Sequence, residues 1–498
     1  MSQQLPQSPD HDTILRASID RSLRHPVMFF FTSGAAWLAV SIILGVISSA
    51  KLHSPNFLSC SEWLTYGRVF PAHINALVYG WGAQAAFGAT IWLMARLSRK
   101  ECRSAGTILT AGHVWNLGVT LGILGILGGY GTGMPWMEFP RFVWPVLFFS
   151  YTAIAIWSLV QFRLIPGRHT FVSQWFLSAA MIWFPWIFLT ANVILHWLPG
   201  NPVMAAGINA WYKSALLLLF FAPVGIGTAY YLVPKVSGIP VQSYSLAKLG
   251  FWGLAIVAPW AGMQKLTGAP IPYWLPYVGA AATVLFAIPA FAVAANLLIT
   301  AFKAGAETIT HSPTLRFSIA GTVGLVLFGL ACVFLNLPDS SLPLTQFSLS
   351  GYGFELLGLY AFFSFVMFGA IYFIVPRITR REWLAKGLIS SHFFLSIYGV
   401  TAIALVALFG GLQQGIGQEQ FALSWSNAAD RTYPYAIFMT GAWCLILLSN
   451  IFFFFHLALM WLRLGRRSSH PTLLDAGHHD SPHGPEGDID NAGPLHSH

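Results

Sequence analysis

Charge is what this 498-residue chain has least of: 9% of its residues are charged and 56% are hydrophobic. Its mean hydropathy is +0.63. A soluble protein of this size carries roughly a quarter of its residues as charges, so a water-covered globule is excluded. Cysteine is scarce too: Cys60, Cys102, Cys332 and Cys444 lie far apart, with no CxxC or CxxCH. That excludes a disulfide framework, a zinc ribbon and a c-type haem attachment site. Histidine is missing from two long stretches, between His196 and His311 and between His311 and His392.

What the chain has instead is apolar length. Runs able to cross a bilayer occupy 27–50, 71–96, 105–129, 142–162, 173–197, 208–233, 246–263, 275–302, 315–336, 351–375, 387–411 and 434–462, the seventh being the shortest. Lipid offers backbone groups no hydrogen bonds, so such runs form helices or a closed barrel. Continuous apolarity without alternation selects helices. The expectation is an all-α membrane protein, a twelve-transmembrane-helix bundle over 27–462. Segment 1–26 precedes it, polar and of mixed charge, unlike a cleavable signal peptide. The tail 463–498 carries His470, His478, His479, His483, His496 and His498 among Gly, Pro and Asp. Such a composition cannot bury a core and is expected to be disordered.

The formal charge of +9 reports orientation. Of the 26 Lys and Arg, 20 fall in the N-terminal segment, alternate loops and the C-terminal segment; Lys51, Arg68, Arg141, Lys213, Lys265 and Arg431 are the rest. By the positive-inside rule both termini are expected in the cytoplasm. The partner this charge implies is the lipid bilayer, and nucleic acid has no support.

Polar residues inside a span are functional suspects because each is costly in hydrocarbon. His73 lies in FPAHINALVYGWGAQAAFGATIWLMARL. Further islands follow in order: NAWYKSALLLLFFAPVGIGTAYYLVPK (209–235), VQSYSLAKLGFWGLAIVAPWAGMQKL (241–266), SPTLRF (312–317), FGAIYFIVPRI (368–378) and SSHFFLSIYG (390–399). In these the chain resembles subunit I of the haem-copper oxygen reductases, the cbb3 type in particular, over roughly 27–460. The resemblance implies a twelve-helix fold with cytoplasmic termini in a bacterial-type inner membrane. It also implies a partner that is a membrane-anchored cytochrome c-type subunit, and low-spin haem b ligated by His73.

The other ligand positions depart from that pattern. The copper-ligating histidine of the sixth helix falls on Ser214, after Trp211, Tyr212 and Lys213. The adjacent pair of the seventh falls on Gln264 and Lys265, after Trp260-Ala261-Gly262-Met263, and the cbb3-type tyrosine falls on Ala258. The His-x-His of the tenth falls on Phe354 and Leu356, flanking Glu355. Copper of this kind needs three imidazoles and a high-spin haem needs a proximal one, so no copper is expected here.

Lys213, Lys265 and Glu355 are therefore expected to converge in the pocket where the resemblance puts the metal centre. Lys265 and Glu355 are expected to pair with Lys213 nearby, the competing reading being lysines that snorkel outward. His113, His392 and His456 are expected to be structural. The functional expectation is a non-catalytic subunit or scaffold of a respiratory electron-transfer complex, partnered by the cytochrome c-type subunit or a catalytic paralogue. Two alternatives stay open: a haem-binding terminal oxidase or nitric oxide reductase subunit, and a proton-coupled secondary transporter.

Overall fold

The computed structural model describes residues 11–162, 170–198, 200–419 and 424–467. The histidines of the expected tail lie outside the described residues. Eleven helices among the described residues are long and apolar enough to cross a membrane, close to the twelve expected. Counting the segmented second helix with them, they run α1 (His11–His53), α2 (66–97), α3 (Ala105–Leu127), α4 (Val143–Gln161), α5 (Val172–His196), α6 (Pro202–Ser237), α7 (Tyr244–Leu266), α8 (Trp274–Phe302), α9 (Pro313–Phe334), α10 (Leu349–Thr379), α11 (Lys386–Glu419) and α12 (Tyr433–Trp461). α2 carries His73, Asn75 and Gln84, all fully buried inside the protein.

The layering follows from which helices meet lipid. Outer helices expose apolar side chains: Leu117 of α3, Phe149 and Ile156 of α4 and Trp252 of α7 are each more than half exposed. α6 and α10 are enclosed by neighbours, as is the second half of α2. These three central helices each contain a wider-turned π stretch, at Ala76–Gly82, Leu217–Phe221 and Leu357–Ser364. Such turns re-aim the side chains that precede them and often mark functional places. Here they meet: Trp81 donates its indole N–H to Ser364 Oγ at 2.8 Å, and the Phe221 and Phe363 rings lie 4.9 Å apart. Helix association in lipid rests on such packing and hydrogen bonds, because the tails are as apolar as the side chains.

α7 breaks where the sequence expects its shortest span. Helix continues to Val257, tightens at Ala258–Trp260 around Pro259, reverses at Gly262, and resumes as a short turn at Met263–Leu266. Gly262 has φ +111°, and a Cβ there would meet Ala210 O at 2.6 Å, so only glycine fits.

Two boundaries differ from expectation. α1 begins at His11 rather than near 27, because its first turns are fastened to α2: Trp92 donates to Asp20 at 2.9 Å and Arg96 to Arg16 O at 3.0 Å. Residues 463–467 are not part of a loose tail. Arg466 and Arg467 pair antiparallel with Glu382 and Arg381. Both described ends therefore lie on one face of the bundle.

Candidate functional site

The three central helices and the broken α7 bring most of the sequence-selected residues to one end of the bundle, under the loop between α3 and α4. That loop is tucked inward rather than solvated, with Trp136, Met137, Glu138 and Phe139 all buried. Trp136 takes a left-handed backbone (φ +66°) to achieve this. Tyr79 donates to Trp136 O at 2.7 Å and meets the Tyr212 hydroxyl at 2.8 Å, and Asn209 donates to Pro135 O at 2.9 Å.

The centre of the site is an ion pair between Lys213 of α6 and Glu355 of α10. Trp136 donates its indole N–H to the second Glu355 oxygen at 3.0 Å. The pair is about a quarter exposed, 27% for Lys213 and 20% for Glu355, so its charges are partly solvated and their mutual attraction is reinforced by a third group. The expected partner was Lys265, and this is corrected. The Gly262 reversal ends α7 so that the Lys265 ammonium stands over the Phe354 ring, 5.7 Å from its centroid. The Lys265 carbonyl accepts from Gln346 at 2.9 Å. Lys265 still senses both Lys213 and Glu355, so the three charges converge with the two lysines' roles exchanged.

The remaining positions are structural in their contacts. Ser214 lies against Gly262. Gln264 turns inward, accepting from Gly262 N–H at 2.9 Å and donating to Thr283 at 2.8 Å and Asn336 at 3.2 Å. Phe354 packs on Phe328, with centroids 5.0 Å apart. Leu356 is buried beside a cavity of about 10 Å³. A hydroxyl, an amide, a cation and two hydrocarbon side chains do not make the three-imidazole set that copper of this kind needs. The donor set does not fit that metal.

His73 sits apart from the ion pair, fully buried. Its Nδ1 lies 2.7 Å from Ser41 O. A carbonyl only accepts, so Nδ1 carries the proton and Nε2 the lone pair. That tautomer is the one a metal-ligating histidine adopts, its second nitrogen held by a backbone carbonyl. Here the Tyr352 hydroxyl donates to Nε2 at 2.9 Å, and the Trp443 ring stands edge-on with centroids 4.9 Å apart. A cavity of about 280 Å³ lies alongside, lined by Ser48, Tyr66, Phe70, Tyr352 and Trp443 among others, with Tyr352 in its wall. In this arrangement the Tyr352 hydroxyl occupies the Nε2 lone pair, the one an axial haem ligand would use.

The other histidines make packing contacts. His392 meets Tyr372 at 2.9 Å, His456 accepts from Ala385 N–H at 3.4 Å, and exposed His113 bonds Leu109 O at 2.7 Å.

Sequence reading missed Glu138, because it falls in a connecting loop rather than a span. An acidic residue flanked by Trp136, Met137 and Phe139 was the available signal. Asn75 donates to Glu138 Oε2 at 2.5 Å. Burial lifts the Glu138 carboxyl to about 7; Glu355 adds to this, while the Asn75 bond and the Lys213 charge oppose it. The Asn75 carbonyl oxygen is buried without a partner.

Comparison with known proteins bears on the same residues. The pattern of the family described as Cytochrome C and Quinol oxidase polypeptide I matches residues 25–445. The cbb3-type cytochrome c oxidase subunit CcoN1 of Stutzerimonas stutzeri is 26% identical over 403 residues, covering 76% of this chain and 81% of that one. A cytochrome c oxidase subunit 1 homolog of Agrobacterium tumefaciens (strain T37) is 23% identical over 443 residues, covering 83% and 80%. A heme-copper terminal oxidase dimer solved by cryo-EM superposes with a TM-score of 0.71 at 15% identity, covering 94% of this chain and 89% of that chain. At that identity the likeness establishes the fold.

Two predictions follow from the geometry. Lys213→Met or Glu355→Leu alone will lower stability by about 2 kcal/mol, below the range for fully buried pairs because of the partial exposure. The double change will recover most of that loss, and a parallel cycle of Lys265→Met with Glu355→Leu will show weaker coupling; thermal unfolding of the three single and two double variants measures both. For Glu138 the raised carboxyl sets the sign. The folded state holds a proton that the unfolded state releases, so stability is greatest below the ordinary value near 4.5 and falls as pH rises through about 7. Glu138→Gln will remove a pH-dependent loss of about 3 kcal/mol, seen as a flatter profile of melting temperature between those pH values.

Proposed function

The chain belongs to the Cytochrome C and Quinol oxidase polypeptide I family, and from that premise we propose that it is a non-catalytic, subunit-I-like scaffold of a respiratory electron-transfer complex. The observation that carries the proposal is the Lys213–Glu355 pair with Ser214 and Gln264 beside it. An ammonium repels a metal ion, and its bond to Glu355 withdraws the one carboxylate that faces this pocket from α10. The polypeptide keeps the bundle while its own groups supply no imidazole set for oxygen or nitric oxide reduction. The partner fitting this role is a membrane-anchored cytochrome c-type subunit or a catalytic paralogue. The chain would sit in a bacterial-type inner membrane with its basic face, and both ends, in the cytoplasm.

A second reading has one observation in its favour. Glu138, which can hold a proton near neutral pH, shares the site with Lys213 and Glu355, as a proton-coupled carrier would need. Proton uptake by vesicles holding the protein, abolished by Glu138→Gln, would favour that reading.

The scaffold reading is tested on the full chain purified alone, stripped of any partner subunit. The expected result is no Soret band, no stoichiometric copper by elemental analysis, and no consumption of oxygen or nitric oxide. Stoichiometric copper that is lost on changing Ser214 or Gln264, or a haem spectrum lost with His73→Ala, would overturn it.

A further inference from the structure

The face carrying both described chain ends also gathers arginines that form no ion pair among the described residues. Arg24 of α1 lies close enough to Arg381, in the loop after α10, and to Arg463, in the turn after α12, to feel the charge of both. Among the described residues none of these three guanidinium groups is bonded to Asp or Glu; Arg381 donates to Gly465 O at 2.7 Å. Asp20, the acidic residue nearest Arg24 in sequence, is taken by Arg96 and Trp92. Three like charges held together without an anion describe a site that lacks its ligand's charge.

The arrangement is fixed by backbone. The antiparallel pairing of Arg381 with Arg467 and of Glu382 with Arg466 joins the two segments. Gly465 is packed so closely that a Cβ would lie 2.5 Å from Glu382 O. Arg463 and, in the facing loop, Arg380 both have left-handed backbones, with φ of 58° and 53°. Glycine takes that conformation at helix ends without strain, so helix termination alone does not require arginine at either place. Beside Arg463, Trp461, Leu462 and Leu464 are 63%, 66% and 56% exposed. An exposed indole and two leucines at the end of a spanning helix mark the depth where tails meet headgroups. Guanidinium groups at that depth match the oxygens of a phosphate.

We propose that Arg24, Arg381 and Arg463 bind the phosphate of an anionic phospholipid headgroup, with its acyl chains against Trp461, Leu462 and Leu464. The apolar lip favours a lipid over a free anion, since inorganic phosphate would gain nothing from it.

The test uses the full chain in phosphatidylcholine nanodiscs, titrated with phosphatidylglycerol and read by native mass spectrometry or by displacement of a fluorescent anionic lipid. Replacing all three arginines by glutamine should weaken binding by about fivefold per arginine. Arg463→Gly separates binding from folding: it relieves the left-handed backbone, so melting in pure phosphatidylcholine should hold or rise while phosphatidylglycerol affinity falls about fivefold. Inorganic phosphate at matched concentration should not displace the lipid. Unchanged affinity in Arg463→Gly or in the triple variant would overturn the proposal. Displacement by inorganic phosphate would overturn it too, by showing a free-anion site.

Discussion

A charge inside a bilayer protein must be answered by another group, and in this structure the answer is the Lys213–Glu355 pair. Much of this end of the bundle is arranged around it. The α3–α4 loop bends inward so that Trp136 can hold the free carboxylate oxygen. Tyr79, Tyr212 and Asn209 hold that loop in place. Lys265, left without a carboxylate of its own, rests on the Phe354 ring. An isolated lysine or glutamate at this partly exposed place would cost about 2 kcal/mol more than the satisfied pair.

At the same end of the molecule His73 and the three π stretches frame a distinctive set of side chains. Nδ1 of His73 is anchored to a carbonyl as in a ligating histidine, yet Tyr352 closes its other nitrogen. The three π stretches still bring α2, α6 and α10 together. The residues they present, however, are an ion pair, an amide and aromatic rings. Glu138 adds a group able to exchange a proton near neutral pH, set against an amide oxygen that lacks a donor.

Much of this was readable from sequence, for reasons particular to each element. Apolar length placed the spans closely, because lipid leaves backbone no alternative to helix. The second span was legible, although its buried Asn75 and Gln84 make it less apolar than the rest. The convergence of residues 213, 265 and 355 was legible through family resemblance alone; no local pattern joins them. Which lysine takes Glu355 was not legible, because it depends on the reversal at Gly262, whose φ no periodicity reveals. Glu138 was hidden by the assumption that connecting loops are solvated, and the tucked Trp136 breaks that assumption. The pairing of 466–467 with 381–382 was masked by the polar composition that follows it.

The most direct test is a cryo-EM map of the protein isolated from its own membranes. The account predicts continuous density from Lys213 to Glu355, and the Tyr352 hydroxyl within hydrogen-bond distance of His73 Nε2. A macrocycle against His73 with Tyr352 swung aside, or a metal ion between Ser214 and Gln264 with Lys213 displaced, would contradict it.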